Sequence, residues 1–448
     1  MRLEVSQALS RGTKYFLVFY TVVSLILTAR HFYSYHASEG TDDDAAIFPR
    51  ADENKAEMPS LISSASLSHS KNSSLPLEHQ ALAQSTDSSS AHNVEWPLDN
   101  GNSQSMGEDY VLSKIFSEAM GPSNLKPYYR RASVSVEKND ITMATLVTRN
   151  RFKVLSRLAT HYKGPISAAI HVNDDDTKQE VLDELHAVYE SNPDMQSYVD
   201  IHLMLDNFDR QFNLWRNVAK FFARTDYIMM LDVDFHLCTN FRQRIRNDPK
   251  IMSLLDSGTA ALVVPAFEYL LQDDGLDWRT FPTSKSHLLE EVESGKLDMF
   301  HKSWLRGHGS TNYTKWYASD DLYKVTDYNF SYEPYIIYKK EGSPWCSERF
   351  IGYGANKAAC LYEIFISGID YWVLPDDFLI HQTHEYPEAT RRKERQYNRK
   401  LYSNFREELC LRYARLFVST GDWDSPKADN LRDQCHRIRG FRSAMNLA

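Results

Sequence analysis

From Ile141 to Asp234 the chain alternates short apolar runs with segments of helical period. The runs "ITMATLVT", "GPISAAIHV", "VDIHLML" and "DYIMMLDVD" read as strands, and "RFKVLSRLATHY", "TKQEVLDELHAVYES" and "NLWRNVAKFFAR" between them as helices. That alternation predicts an α/β domain with a mixed, largely parallel sheet flanked by helices. In such sheets ligands bind beyond the carboxyl ends of strands. The fourth run ends there in two carboxylates, Asp232 and Asp234. Charge at the end of a buried strand is costly unless something pairs with it.

Beyond Asp234 the pattern loosens. "GTAALVVPAFEY" and "PYIIYKK" read as strands, "NKAACLYEIFISG" as a helix, and "DYWVLPDDFLIH" as a strand ending in a histidine. A long polar helix is predicted from about Thr390 to Phe417. Its Tyr397, Leu401, Phe405 and Leu409 recur every four residues and should pack on the domain.

Hydrophobic residues make up 42% of the 448 residues and aromatics 12%, enough for a sizeable core. The net charge of -9 is spread along the chain, and no basic stripe with interleaved aromatics invites nucleic acid. An uncharged apolar run from Tyr15 to Ala29 lies between Lys14 and Arg30, and Phe32 and Tyr33 extend it at the interface. Arg2, Arg11 and Lys14 precede it, while Glu39 and Asp42 to Asp44 follow. The positive-inside rule then predicts a cytoplasmic tail over 1–14, a signal anchor over 15–33 and translocation of the rest. A cleaved signal peptide competes, but Leu27 stands where cleavage at Ala29 needs a small residue. The Ser-rich stretch within 34–110 cannot bury enough apolar surface to fold, so it reads as a flexible stem before a catalytic domain over 111–448. In a lumen, Asn72, Asn312 and Asn329 would be glycosylation acceptors. Five cysteines, Cys238, Cys346, Cys360, Cys410 and Cys435, show no zinc-like spacing and would leave one thiol unpaired among disulfides.

An Asp-x-Asp alone says little, and the chain holds its own controls at Asp42/Asp44, Asp174/Asp176 and Asp422/Asp424. "HVNDDDT" follows a strand but runs into a helix start, where acidic residues act as caps. Asp232 and Asp234 have the same alternative, a turn or cap before "NFRQRI". Two carboxylates on a tight strand end can also offer hard oxygen ligands to Mn2+ or Mg2+ and leave positions for phosphate oxygens. That chemistry demands a further ligand. "VLPDDFLIHQTH" offers His381 at a strand end, followed by His384; an ordinary hydrogen-bonded histidine is the alternative. Asp376 and Asp377 follow a proline and suit a turn.

"GPISAAIHV", "NLWRNVAKFFARTDYIMMLDVDF", "YEPYIIYKK", "ERFIGYGANKAACLYE", "VLPDDFLIHQTH" and "RQYNRKLYSNFREEL" follow one another over about Ile141 to Phe417. In that order they resemble segments of the family 49 glycosyltransferases, glucuronyltransferases among them. The resemblance implies a glycosyltransferase-A fold, a UDP-sugar donor with glucuronic acid the first choice, and an inverting, metal-dependent transfer to a glycan or glycoprotein acceptor. Together with the tail, anchor and stem read above, it predicts a single-pass type II enzyme of the Golgi or ER membrane. It assigns the metal to Asp232, Asp234 and His381 and leaves His384 aside. On the donor side it points to Asn213, Arg216 and Asn217 of "NLWRN" and to Asn356 and Lys357 of "GYGANK". Arg216 leads, because a guanidinium pairs with pyrophosphate or a sugar carboxylate. A helix with its polar face in water, and a plain glycine turn, are the structural alternatives.

An inverting transfer needs a base for the acceptor hydroxyl. Glu333 of "YEP" and Glu348 of "SERF" are the candidates, each equally a salt-bridge partner. Some other transferases of the fold carry an acidic pair after a glycine-rich turn, where this chain has Asn356 and Lys357, so the base stays unassigned. Two rival readings are a non-catalytic glycan-binding protein of the same fold and a metal-dependent hydrolase, which would need a richer histidine set. Homodimerisation is left open.

Overall fold

The computed structural model describes residues 93–97, 103–108, 111, 112, 115, 124–384 and 391–445. The predicted tail and anchor, Asn72 and the Asp42/Asp44 pair lie outside the described residues. Among those described, no helix is long and apolar enough to cross a membrane. The end of the predicted stem is structured: β1 (Asn93–Pro97) pairs antiparallel with β2 (Ser103–Gly107). The Asn100-Gly101 dipeptide between them is a strong hairpin signal.

A nine-stranded sheet forms the centre. Its members in chain order are β3 (Asn124–Arg130), β4 (Ile141–Val147), β5 (Ile166–Val172), β6 (Val199–Leu205) and β7 (Tyr227–Met230). A short strand, β8 (Phe235–Leu237), then joins a second sheet, and β9 (Ala260–Val264) returns to the first. Next come β10 (Ala266–Tyr269) and β11 (Leu297–Met299) in the small sheet, then β12 (Tyr323–Lys324), β13 (Tyr335–Lys339) and β14 (Asp370–Val373) in the large one, and β15 (Leu379–His381) in the small one. The large sheet is ordered β12-β14-β9-β13-β7-β4-β5-β6-β3 and the small one β11-β10-β15-β8.

The first-half prediction holds: β7, β4, β5 and β6 are parallel neighbours. Antiparallel strands enter at three places, β13 between β7 and β9, β3 on β6 and β12 on β14, while β9 and β14 pair parallel. Parallel pairing therefore runs from β7 to β6 and again between β9 and β14, and the sheet as a whole is mixed. Every residue of β5 and β6 is buried, as a sheet covered on both faces requires. On one face Met143, Val147, Ile170 and Leu203 pack with Leu155 and Leu158 of α1 (Phe152–Tyr162) and with Leu185 of α2 (Lys178–Ser191). On the other, Ala144, Ala169 and Ile228 meet α3 (Phe212–Phe221), α4 (Asn356–Ile366) and α5 (Arg391–Thr420).

Two predicted strands each prove to be two. "GTAALVVPAFEY" divides at Pro265 and "DYWVLPDDFLIH" at Leu374 to Phe378, which includes Pro375. Proline has no N–H for a ladder, so at these points the chain leaves the large sheet for the small one. β7 and β8 make the same crossing through Leu231 to Asp234. The stripe expected on α5 also shifts. Tyr397 is 67% exposed, and the buried line is Asn398, Tyr402, Phe405, Leu409 and Phe417. A strict four-residue repeat drifts about 40° per step around a helix of 3.6 residues per turn, so its ends leave the covered face.

Candidate active site

Asp234 stands at the crossing from β7 to β8. β15 pairs antiparallel with β8 so that His381 lies opposite Phe235, and the Gln382 amide donates to the Asp234 carbonyl at 3.0 Å. This register brings a strand-end imidazole to the carboxylate: His381 Nε2 is 3.7 Å from Asp234 Oδ2, and His384 Nε2 is 2.9 Å from the same oxygen. One ligand atom from each of Asp234, His381 and His384 lies within 4.8 Å of the other two. His381 is only 3% exposed. Burial alone would raise the Asp234 carboxyl, but hydrogen bonds to His381 and His384 outweigh it and hold the group well below the usual carboxylate range.

Asp232 keeps different company. Because β13 runs antiparallel to β7, its first residue arrives at the carboxyl end of β7. Tyr335 there donates its hydroxyl to Asp232 Oδ2 at 2.8 Å. Lys357 Nζ reaches the same oxygen at 3.2 Å and sits 3.3 Å from the centre of the Tyr335 ring, while Arg216 Nη2 is 3.6 Å from Oδ1. Burial opposes ionisation of Asp232, yet Lys357 and then Arg216 lower its carboxyl below the ordinary value. Glu333 lies in the same field. Burial raises its carboxyl most, against the pull of Lys357 and Arg216, and Asp232 adds to the rise.

The polar side chains of α3 do not face water. Asn213 is 0% exposed and donates to the carbonyls of Ser347 (2.9 Å) and Asn356 (3.0 Å). Asn217 donates to the Cys346 carbonyl and to Glu348, and accepts from the Cys346 amide. Lys220 donates to Ser343 Oγ and the Pro344 carbonyl, each at 2.8 Å. The helix thus braces the 343–348 loop, and a disulfide between Cys346 and Cys360 ties that loop to α4. Arg216 is 2.7 Å from Asn356 Oδ1, which orients its guanidinium towards Asp232.

Lys357 is aimed by a glycine turn. Gly352 and Gly354 have φ of +79° and +91°, and a Cβ on Gly354 would stand 3.0 Å from the Arg395 Cα of α5. Only glycine fits such a left-handed close approach. Asn398 of α5 donates to the carbonyls of Ile351 and Tyr353, and Glu394 accepts from the Tyr353 amide.

A family model described as "Glycosyl-transferase for dystroglycan" matches residues 140–211 and 206–414. The chain belongs to this glycosyltransferase family. Curated relatives include the xylosyl- and glucuronyltransferase LARGE2 of Mus musculus, 32% identical over 253 residues covering 55% of this chain and 35% of the relative. LARGE1 of Danio rerio is 30% identical over 293 residues, covering 62% and 36%. LARGE1 of Homo sapiens is 28% identical over 296 residues, with the same coverage. The chain thus spans about a third of the length of these relatives. A solved structure, GalNAc-T7 with UDP, GalNAc and Mn2+, aligns at a TM-score of 0.33 with 12% identity over 68% of this chain and 55% of that one, a likeness too low to argue from.

Within this family member the expected ligands separate. Asp234 and His381 meet as expected, His384 joins them, and Asp232 is engaged by Tyr335, Lys357 and Arg216. Of the residues expected on the donor side, Arg216 and Lys357 border Asp232, whereas Asn213, Asn217 and Asn356 hydrogen-bond the surrounding loops. Glu348 accepts from Asn217 at 2.8 Å as part of the α3 brace, and Glu333 is the expected base that shares the field of Asp232. The other acidic pairs lie at the surface: no side chain caps α2, where Asp174 pairs with Lys178, and Asp422 pairs with Lys427. Asp377 is bound by Thr239 and Arg244. Tyr335 was missed, since nothing in "PYIIYKK" distinguishes a tyrosine that opens a strand from one that fills the core.

Proposed function

We propose that the chain is a metal-dependent, inverting glycosyltransferase of glycosyltransferase-A fold, moving glucuronic acid from its UDP donor to a glycan acceptor. The observation that carries this reading is the meeting of Asp234, His381 and His384 beside the Asp232–Lys357–Arg216 group, at the carboxyl end of a central strand of a family glycosyltransferase. One carboxylate and two imidazoles suit a divalent ion such as Mn2+, and Asp234, His381 and His384 would hold it with Asp232 alongside. Such an ion would neutralise charge developing on the leaving diphosphate. Lys357 and Arg216 would bind diphosphate oxygens or the sugar carboxylate, and Asp232 keeps the two cations paired meanwhile. Glu333, with its raised carboxyl, is the favoured base for the acceptor hydroxyl. Disulfides Cys346–Cys360 and Cys410–Cys435, with Cys238 left as a buried thiol, support an oxidising compartment and thus a lumenal domain behind the predicted anchor.

The test is a UDP-sugar panel with the full-length chain and a mixture of glycoside acceptors, with and without Mn2+. Metal-dependent transfer from UDP-glucuronic acid is expected. Release of UDP with no acceptor product under any condition would favour a hydrolase, and glycan binding with no turnover would favour a binding protein.

A further inference from the structure

One residue beside the site is held in a backbone conformation that residues other than glycine adopt in only a few per cent of cases. His301 follows β11 with φ of +55°, a left-handed backbone uncommon outside glycine. The surroundings enforce it. Its amide donates to Glu268 Oε1 at 2.8 Å, its carbonyl accepts from the Trp304 amide at 2.7 Å, and its ring stacks on Phe300 at 3.9 Å and 21° between planes. Glu268 lies beside His381 in the parallel register of β10 and β15. Phe300 also touches the His381 ring at 5.0 Å, so one aromatic ring separates His301 from the proposed metal ligands. Residues whose backbone is held in such sparsely populated conformations cluster at working sites.

Resting on the transferase reading, we propose that His301 is an acceptor-contacting residue, its imidazole accepting a hydrogen bond from a hydroxyl of the carbohydrate acceptor next to the attacking one. The residue as a whole is exposed while one face of its ring is covered by Phe300, and neither ring nitrogen bonds any described residue. Loss of water around the ring, then the positive fields of His381, Lys357 and Arg395, push its pKa down to about 4, which leaves a neutral ring nitrogen free to accept near pH 7. The next turn adds the half-buried indole of Trp304 and the exposed Leu305, surfaces suited to the C–H face of a sugar ring. The hydrogen bond orients the acceptor without taking its proton, a task that stays with Glu333.

The test compares full-length wild type with His301→Asn and His301→Gly, both of which tolerate the left-handed backbone. Three measurements are needed: thermal midpoint, Mn2+-dependent hydrolysis of UDP-glucuronic acid by water, and transfer to a panel of p-nitrophenyl glycosides. Both variants should melt within about 4 °C of wild type. Hydrolysis should stay within twofold of wild type, and kcat/KM for acceptor should fall about tenfold, mostly through KM. Transfer at the wild-type rate, or hydrolysis lost in step with transfer, overturns the proposal. A wild type that turns over no donor overturns the transferase reading instead. Glycan-array binding by wild type and His301→Asn then decides the inference: reduced binding by the variant upholds it, and indistinguishable signals, including none from either, overturn it.

Discussion

Asp232 and Asp234 differ by one valine in sequence and by the whole fold in company. Asp234 faces two imidazoles delivered by a strand of the small sheet; Asp232 faces a phenol, an ammonium and a guanidinium delivered by β13, α4 and α3. Alternation along an extended chain sends neighbouring odd and even side chains to opposite faces, yet these two share a parity and separate because the chain bends between two sheets at that point. One carboxylate is thereby grouped with two imidazoles, the proposed metal ligands, and the other is satisfied by cations of the protein. Asp234→Asn breaks the comparison hardest. It removes a charged oxygen from the proposed metal cluster, so Mn2+-dependent turnover should fall by at least about 100-fold, with the thermal midpoint nearly unchanged. Turnover within a factor of three of wild type would refute the assignment.

The opposite side should answer in stability as well. Lys357→Met leaves Asp232, whose side chain is 34% exposed, and the half-buried Glu333 with one cation fewer, so the cost should fall between the ~1 kcal/mol of an exposed pair and the ~3 kcal/mol of a buried one. Chemical denaturation should show that loss, and turnover should fall with it. The contrast with Asp234→Asn is the informative result: a variant of the metal side that keeps its stability, against a variant of the cation side that does not. Equal stability losses in the two would mean that both carboxylates are structural.

A smaller effect belongs to the brace beneath the cation side. Cys346→Ser opens the disulfide to Cys360 and frees the loop that α3 holds. A loop of this size gives about 2–3 kcal/mol by chain entropy, and the Asn217 bonds to Cys346 keep some of the order. Urea titration should register the loss, while Mn2+ binding measured by calorimetry stays as in wild type. Weakened Mn2+ binding would show that the two sides are mechanically coupled.

How much of this was readable from residues follows the range of the interactions. β4, β5 and β6 were legible because each is a continuous apolar run, buried on both faces, and the helices between them carry their own period. The site was half legible. Asp234 and His381 end apolar runs, a local signal, whereas the fate of Asp232 depends on β13 entering antiparallel about a hundred residues later, which no local pattern announces. His384 sits past the strand end, and its position follows from the pairing of β15 with β8. Pro265 and Pro375 were visible, but a proline says only that a ladder stops, not that the chain resumes in another sheet. The buried amides of α3 were hidden for a similar reason: Asn213 and Asn217 look like a wet helix face until the 343–348 loop is known to cover them.

A further prediction separates acid sensitivity from both carboxylates. His202 on β6 is fully buried, receives the Tyr128 amide on Nδ1 at 3.1 Å and lies 3.1 Å from Ser167 Oγ through Nε2. Burial, with a smaller push from Arg224, lowers its pKa from 6.5 to about 3. The unfolded chain therefore takes up a proton that the folded one refuses between those values. Stability from this group is intact above pH 6.5 and declines as pH falls towards 3, by about 1.4 kcal/mol per unit. Asp234 titrates below this window, since its imidazole partners hold its carboxyl down. Denaturation of wild type and His202→Gln at pH 7.5, 6, 5 and 4 checks the assignment: the variant should start less stable and lose stability less steeply. Parallel curves would move the acid sensitivity away from β6.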